Sequence, residues 1–397
     1  MKTKNNSQVV LLCLESARTL PTIVVQCFCL CALGLAALAG EEPSDYPPPA
    51  EVTFFERAEH GGHGKESAVG RGRKLFKYET FAGNGRTCLS CHGLESGTLS
   101  PEQVQARLSL ASGSQEGEGD ALFRPIDSDD GLGEQFYRLL QHATIRVHKD
   151  LPDYVGLESD SSARSVAVNR GIPSVLDSGL IEPLMQDGRM PDLETQALGA
   201  VLGHFEPRRL PTDEELDEVA QFERTLFSRP DLARYFRGGS PPKLPEATTP
   251  EQIRGRRYFE AGGLCNLCHS GPMLNQTSPA HPAGAGQRFE NIFVSERNAI
   301  SNATQVFLFQ NADGTMTRAV TPDPGHALVQ REPIVGLFTT GPINFFRTPT
   351  LWNIKNTAPY FHDNSAKTLE EVLQHYQLYL PISDQEASDI IAFLKLL

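Results

Sequence analysis

Basic residues are scarce in this chain. Its 36 Lys and Arg face 49 Asp and Glu, which gives a formal net charge of −13 at pH 7. Nucleic acids are bound by basic surfaces that neutralise phosphates, so this balance argues against a nucleic-acid partner. The composition of a disordered chain is also absent, because 39% of the residues are hydrophobic and 8% are aromatic. The length of 397 residues suggests two domains of ordinary size.

Charge is missing altogether from one stretch near the N-terminus. No residue from Thr19 to Gly40 is charged, basic residues precede this stretch, and Ala37-Leu38-Ala39 offers small residues for cleavage. This pattern predicts an export signal peptide over residues 1–39. A retained membrane anchor is the alternative, since the uncharged run is barely long enough to span a bilayer.

Cysteine is confined, beyond the first 31 residues, to two units of the same Cys-x-x-Cys-His pattern. In such a unit the two thiols add to the vinyl groups of a haem, and the histidine becomes an iron ligand. A zinc site and a thioredoxin-like redox pair are the competing interpretations. Two such units in an exported chain with no other thiol favour two covalently attached c-type haems. The attachment residues are Cys88, Cys91, Cys265 and Cys268, and the iron ligands are His92 and His269.

The two units belong to a longer internal repeat. Matching segments include Pro173-Ser174-Val175-Leu176 with Pro349-Thr350-Leu351-Trp352, offset by 176 residues. Strand signals are sparse, and capping boxes precede helices at Thr368 and Ser383. We therefore expect a mainly α fold of two tandem cytochrome c-like domains related by duplication. The N-terminal domain spans residues 66–235, the C-terminal domain spans 246–397, and a Gly/Pro-rich linker joins them.

The repeat predicts a difference between the two iron sites. On the helix that follows Thr368, Tyr376 continues an apolar stripe that begins at Leu369. The residue 176 positions before Tyr376 is Ala200. A tyrosine phenolate is able to ligate iron and an alanine is not, so the second haem would be closed and the first open. The alternative is that Tyr376 is an ordinary core aromatic.

Several motifs together resemble the bacterial di-haem cytochrome c peroxidase/MauG superfamily. They are the two haem-attachment units, Asp187-Gly188-Arg189, Arg347-Thr348-Pro349-Thr350-Leu351 and Thr357-Ala358-Pro359-Tyr360-Phe361-His362-Asp363. The resemblance implies a periplasmic protein whose N-terminal haem reacts with peroxide and whose C-terminal haem passes electrons. Ordinary peroxidases of the family ligate the second haem with a Met nineteen residues after the Thr of Thr-x-Pro-Tyr. That position is Tyr376 here, as in MauG-like members.

The resemblance also implies a set of catalytic residues around the first haem. The family's essential acid corresponds to Glu206, and a pocket amide of MauG-like members corresponds to Gln196. A carboxylate above open iron suits peroxide chemistry, which takes a proton from one oxygen and returns it to the other. The alternative for Glu206 is a solvated surface acid. His204 either shares the proton transfer or has a structural role.

Two departures from the family pattern concern the space between the haems. The Trp that the family places there is Gln186 in this chain, and the one Trp present is Trp352. We hypothesise that Trp352 substitutes as the relay. Thr357 and Pro359 would offer carbonyls to the family's calcium ion, but the expected Asn ligand is Gly171.

The sequence thus predicts an oxidoreductase that uses hydrogen peroxide, with two haem c groups and an additional calcium ion as cofactors. In one version it is a peroxidase that draws electrons from a cytochrome c or a cupredoxin. In the other it is a MauG-like oxidase of a protein substrate. A non-catalytic di-haem electron-transfer cytochrome is the alternative. The acidic net charge suits a basic partner protein.

Overall fold

The computed structural model describes residues 66–113, 119–133, 135–297 and 302–397, so the predicted signal peptide lies outside the described residues. The helices are α1 (Ala68–Tyr78), α2 (Cys88–Cys91), α3 (Pro101–Gly113), α4 (Tyr137–His142), α5 (Leu193–His204), α6 (Asp213–Glu223), α7 (Pro230–Phe236), α8 (Pro250–Arg256), α9 (Val294–Arg297), α10 (Leu369–Gln377) and α11 (Asp384–Leu394). The strands are β1 (Thr144–Asp150), β2 (Val155–Leu157), β3 (Ser165–Gly171), β4 (Phe289–Glu290), β5 (Gln305–Gln310), β6 (Met316–Thr321) and β7 (Phe346–Arg347). Within these ranges no helix is both long and apolar enough to cross a membrane.

Helix outweighs strand, at 34% against 13%, but the fold is mixed. Strands β1 and β3 pair antiparallel with Thr144 opposite Gly171, β5 lies between β2 and β6, and β4 pairs with β7. The prediction of a mainly α fold therefore accounts for the helices and omits these small sheets. Strand β3 does carry an alternating pattern, since Val166 and Val168 are buried between more exposed neighbours.

The same type of helix crossing occurs in both halves of the chain. In the first, α1 packs on α6, where a Cβ on Gly72 would overlap the backbone of Glu218. In the second, α8 packs on α11, where a Cβ on Gly255 would overlap the backbone of Asp389. In both crossings the Arg that precedes the glycine pairs with the same acidic residue. Glycine is required at these two positions because it allows the helix backbones to touch.

The predicted N-caps of the last two helices are present. The Thr368 hydroxyl accepts the Glu371 N–H at 3.2 Å and begins α10. Ser383 and Glu386 form a complete capping box at the start of α11. The Glu371 carboxylate accepts instead from the backbone N–H of Lys367, so only half of the first predicted box forms.

The two haem-attachment units rest on separate apolar clusters. Cys88 packs against the cluster that contains Phe76 and Phe222, from α1 and α6. Cys265 packs against the cluster that contains Leu373 and Phe393, from α10 and α11. Each unit is therefore held by the helix pair of its own half of the chain.

The 176-residue offset extends to backbone conformation and to contacts between the halves. Asp177 and Asn353 are both left-handed, with φ of 63° and 64°. The N–H of Arg347 donates to the carbonyl of Gln186 at 2.7 Å, and the N–H of Gly171 donates to the carbonyl of His362 at 2.9 Å. Both members of the first pair lie 176 positions from their counterparts in the second. The halves thus exchange one contact reciprocally, as a pseudo-twofold arrangement requires.

Asp177 has a buried carboxyl group, and the equivalent residue in the second half of the chain, Asn353, has an amide. Its side chain accepts from the backbone N–H of Ser228 at 2.9 Å and from the Ser228 hydroxyl at 2.5 Å. Burial raises the pKa of Asp177 to about 6 despite these bonds. Because the pKa of Asp177 is higher in the folded state than in the unfolded state, the protonated carboxyl stabilises the fold below pH 4. This contribution is lost as the pH rises through 6.

We therefore expect Asp177→Asn to stabilise the protein at pH 7.5 by about 1–3 kcal/mol, with a much smaller effect at pH 4.5. Asparagine tolerates the left-handed conformation and still accepts the Ser228 N–H. Denaturant unfolding at the two pH values measures the difference. The exposed Asp153→Asn is the matched control, for which no stabilisation is expected. An equal effect of Asp177→Asn at both pH values would contradict this account of Asp177.

Candidate haem sites

His92 and His269, the two predicted iron ligands, each form a hydrogen bond with the backbone carbonyl five residues later in the chain. His92 ends α2 and donates from Nδ1 to the carbonyl of Gly97 at 2.8 Å, and His269 donates from Nδ1 to the carbonyl of Leu274 at 2.8 Å. A carbonyl oxygen only accepts hydrogen bonds, so in each neutral ring the proton is on Nδ1 and Nε2 is unprotonated. This second hydrogen bond is the one that orients metal-binding histidines.

The thiols do not form a zinc site with these histidines. Within the described ranges, the only three His, Cys, Asp or Glu side chains whose ligand atoms gather within 4.8 Å of one another are Cys268, His281 and Glu290. A zinc site built from either unit would instead bring both of its cysteines to its histidine. Burial raises the pKa of all four thiols, that of Cys265 to about 12, which disfavours thiolate chemistry.

A buried positive charge also fits haem, which carries two carboxylates. The Nη1 atom of Arg347 is buried and has no hydrogen-bond partner among the described residues, while Nε donates to the carbonyl of Met185 at 3.1 Å. Burial and the neighbouring Arg288 lower the pKa of Arg347 to about 10. Two adjacent cations of this kind are expected to bind an anion. A haem propionate is an anion of the right chemistry.

Helices α5 and α10 place Ala200 and Tyr376 at equivalent positions. Both helices begin directly after their N-caps, Asp192 and Thr368, and these caps are 176 residues apart. Burial raises the pKa of the Tyr376 phenol, and Tyr376 packs against the same apolar cluster as Cys265. Tyr376 therefore lies beside the second attachment unit, where a distal ligand of the second haem would be.

A buried acid–histidine pair also lies beside the second unit, and the sequence analysis did not identify it. His281 Nε2 lies 2.9 Å from Glu290 Oε1, and both side chains are almost inaccessible to solvent. Burial raises the pKa of Glu290 to about 7. The pair sits close to Cys268, so it lies beside the second attachment unit.

The residues predicted around the first haem occupy α5 and the turn after it. Gln196, Ala200 and His204 are spaced four residues apart and share one face of α5. Glu206 is exposed and left-handed, with φ of 48°. The Asn84 amide donates to Glu206 Oε2 and to the carbonyl of His204, both at 2.9 Å. The structure thus brings Glu206 and His204 together, with Gln196 two helical turns away.

Helix α5 packs beside the first attachment unit. Cys88 packs against the apolar cluster that contains Val201 of α5. Burial lowers the pKa of the His92 imidazole, and the charge of His204 acts in the same direction. Helix α5 and His204 therefore lie close to the predicted position of the first haem.

Asp187 of the Asp-Gly-Arg motif is the centre of a buried ion-pair network. Its carboxylate pairs with Lys149, with Arg170 at 2.8 Å and with Arg189 at 2.9 Å. Arg170 also makes a bidentate pair with Asp323, and its charge lowers the pKa of Asp323 to about 2 although burial acts in the opposite direction. Because Asp323 comes from the C-terminal half, the network joins the two halves of the chain.

Trp352 and Gln186 lie in different surroundings. The Trp352 ring is buried in an apolar cluster built from both halves of the chain, donates from Nε1 to the carbonyl of Pro272 at 2.8 Å and lies beneath Arg229 at 4.6 Å. Gln186 donates from Nε2 to the carbonyl of Gly171 at 2.9 Å, at the contact between the halves. The proposed relay role of Trp352 stays a prediction.

The region expected to bind calcium differs from the family pattern in one more respect. A Cβ on Gly171 would overlap the side-chain amide of Asn364. Asn364 donates to the carbonyls of His142 and Ala143, at 2.8 and 3.3 Å. An amide from the C-terminal half therefore fills the space that the expected Asn side chain would take. Thr357 and Pro359 remain candidate carbonyl ligands.

No protein-family model matches the chain. A cytochrome-c peroxidase IdrP1 from Denitromonas iodatirespirans is 24% identical over 346 residues, covering 83% of this chain and 81% of the relative. The cytochrome c551 peroxidase of Nitrosomonas europaea is 26% identical over 259 residues, covering 57% of this chain. A solved MauG-like protein associated with microbial copper homeostasis is 20% identical, covers 90% of this chain and 94% of its own, and has a TM-score of 0.47.

Coverage of the relatives is uneven. The match spans 64% of the Nitrosomonas protein and 47% of a second Denitromonas cytochrome-c peroxidase, IdrP2. The curated relatives are bacterial cytochrome c peroxidases, which supports the resemblance of this chain to the bacterial di-haem cytochrome c peroxidase/MauG superfamily.

Proposed function

We propose that the protein is an exported, periplasmic di-haem oxidoreductase that reacts with hydrogen peroxide at the N-terminal haem and draws electrons through the C-terminal haem. The contrast between Ala200 and Tyr376 carries this proposal. The two residues occupy equivalent helix positions, yet only Tyr376 is able to ligate iron. One haem would then accept peroxide and the other would serve electron transfer.

The covalent architecture follows from the two units. Cys88 and Cys91 would hold the first haem c with His92 as its ligand. Cys265 and Cys268 would hold the second haem with His269 and Tyr376 as its ligands. The proposed domains are residues 66–235 and 246–397, related by duplication, and the repeated crossings and the reciprocal contact support this division. The carbonyls of Thr357 and Pro359 are proposed ligands of a calcium ion between the domains.

The chain's own residues at the first haem would bind peroxide and move its proton. Haem supplies the electrons that break the O–O bond. Gln196, on the same face of α5 as Ala200, would hydrogen-bond the bound oxygen. Glu206 would exchange protons with solvent, since it is exposed and is held by Asn84.

Tyr376 favours the MauG-like version over the ordinary peroxidase. A phenolate stabilises oxidised iron more than a thioether does, so the second haem would be a poor acceptor from a cytochrome c or a cupredoxin. A protein substrate with a basic face would suit the acidic chain. The purely electron-transferring alternative is disfavoured, because a carrier generally keeps both irons fully coordinated.

We expect Glu206→Gln to slow the reaction of the oxidised holoprotein with hydrogen peroxide by about 10²-fold, because the amide cannot exchange the proton. Stopped-flow spectroscopy of the first haem measures the rate. Glu246→Gln, an exposed substitution near the linker, is the control and should leave the rate unchanged. Unchanged peroxide reactivity in Glu206→Gln would show that Glu206 takes no part in the reaction.

A further inference from the structure

A fully buried carboxylate lies beside the proposed peroxide site, although no sequence motif marks it. The Asp127 side chain has no solvent exposure. It accepts the backbone N–H of Arg146 at 2.8 Å and pairs with Arg86 Nη1. Arg86, itself 1% exposed, is fixed in turn by the carbonyls of Ala121 and Leu122, at 2.9 and 2.6 Å. Asp127 is therefore held rigidly on two sides, and one side of its carboxylate remains open.

His204 occupies that open side. Its Nδ1 atom is buried, has no hydrogen-bond partner in the described part of the chain, and lies 3.8 Å from Asp127 Oδ2. Burial alone would raise the pKa of Asp127, but His204 and Arg86 together lower it to about 2. Because Nδ1 faces Asp127, the other ring nitrogen, Nε2, faces away from it. His204 also shares the face of α5 that carries Ala200, and α5 packs beside Cys88 of the first attachment unit.

We propose that His204 shares the proton transfer at the first haem with Glu206, and that Asp127, fixed by Arg86, is the positioning residue of His204. His204 Nε2 would take a proton from one oxygen of hydrogen peroxide, which leaves a hydroperoxide anion and an imidazolium. The imidazolium would return this proton to the other oxygen, which leaves as water, and a haem held by Cys88, Cys91 and His92 would supply the two electrons. The proton thus leaves one oxygen and arrives at the other, with no net change at the histidine. This inference rests on the proposed function of the first haem.

His204 and Glu206 have different surroundings. Glu206 is exposed and reaches His204 only through Asn84, which contacts the His204 carbonyl and not its ring. Asp127, from the segment between α3 and α4, faces the His204 ring, and Arg86, from the loop after α1, donates to the His204 carbonyl. His148 of β1 and His92 are the other titratable groups that interact electrostatically with His204. Asp127 is the one anion in this set. It would hold a proton on Nδ1, leave Nε2 as a base and stabilise the imidazolium.

Cyanide tests the inference without relying on peroxide turnover. Hydrogen cyanide must also lose a proton when it binds oxidised haem, so a base near the iron accelerates its association. Stopped-flow binding of potassium cyanide to the oxidised holoprotein is measured from pH 5 to pH 9. We expect His204→Gln to lower the association rate constant at pH 7 by about 10²-fold and to flatten its pH profile. We expect Asp127→Asn to lower the association rate constant by about 10-fold, because the new amide donates to His204 Nδ1 and moves the ring proton to Nε2.

Matched variants separate this role from a structural one. His142→Gln removes another half-buried histidine, which faces Lys367 and Asp363, and should keep the wild-type rate and pH profile. If Asp127→Asn does not fold, His204→Gln decides the question, because its side chain is 18% exposed. A wild-type rate and pH profile in His204→Gln would overturn the inference. If the wild-type protein does not react with peroxide while His204→Gln still slows cyanide binding, the proposed function fails, and only the role of His204 as a base beside the first haem is supported.

Discussion

Replacing Ala200 with tyrosine is expected to lower the rate of the reaction with hydrogen peroxide by at least about 10³-fold. This factor corresponds to a free energy of about 4 kcal/mol for displacing the new tyrosine ligand from the iron. Ala200 occupies on α5 the position that Tyr376 occupies on α10, so the new phenol would face the first haem. Both haems would then have two protein ligands. The measurement is peroxide consumption by the oxidised holoprotein, together with the EPR signal of the first haem.

Two variants of the same helix serve as controls for Ala200→Tyr. Leu202→Tyr adds a tyrosine at a position that is 54% exposed, on a different face of α5, and should leave the reaction unchanged. Ala200→Ser changes the same position without reaching the iron. Normal peroxide reactivity in Ala200→Tyr, with an unchanged EPR spectrum, would show that this face of α5 does not cover the first haem.

The second large effect is expected at the other haem. Tyr376→Met should raise the reduction potential of the second haem by an amount on the order of 0.3 V, because a thioether favours reduced iron and a phenolate favours oxidised iron. Reduced cytochrome c should then reduce this haem readily, and peroxidase turnover should increase. Spectroelectrochemical titration of the two haems measures the potential.

The control for Tyr376→Met is a second tyrosine of the same region. Tyr379 packs on Phe293 and His375, so Tyr379→Phe should preserve both potentials. Tyr376→Phe, which supplies no ligand, should instead open the second haem. If Tyr376→Met leaves the second potential unchanged, Tyr376 is a core aromatic and the asymmetry between the haems has another origin.

Much of the site was predictable because the chain repeats itself. The 176-residue offset aligned Ala200 with Tyr376, and the structure begins α5 and α10 at positions with that offset. Local signals also located the starts of the last two helices, since capping depends on residues only three positions apart. The geometry of His92 and His269 follows from the attachment units in the same local way.

The remainder depends on contacts between residues that are distant in the sequence. Asp127 lies 77 positions before His204, and nothing in the sequence around it indicates a buried carboxylate. Two partners of Asp187, Lys149 and Arg170, come from β1 and β3, and only Arg189 lies in the recognised motif. The small sheets were missed because strands of two to seven residues carry too short an alternating pattern.

The central claim is that the first haem is open and the second is closed by Tyr376. EPR spectroscopy of the resting oxidised holoprotein, before and after one equivalent of hydrogen peroxide, tests it most directly. We predict one high-spin signal from the first haem and one low-spin signal from the second, with the high-spin signal lost on addition of peroxide. Two low-spin signals that peroxide does not change would contradict both the open site and the proposed function.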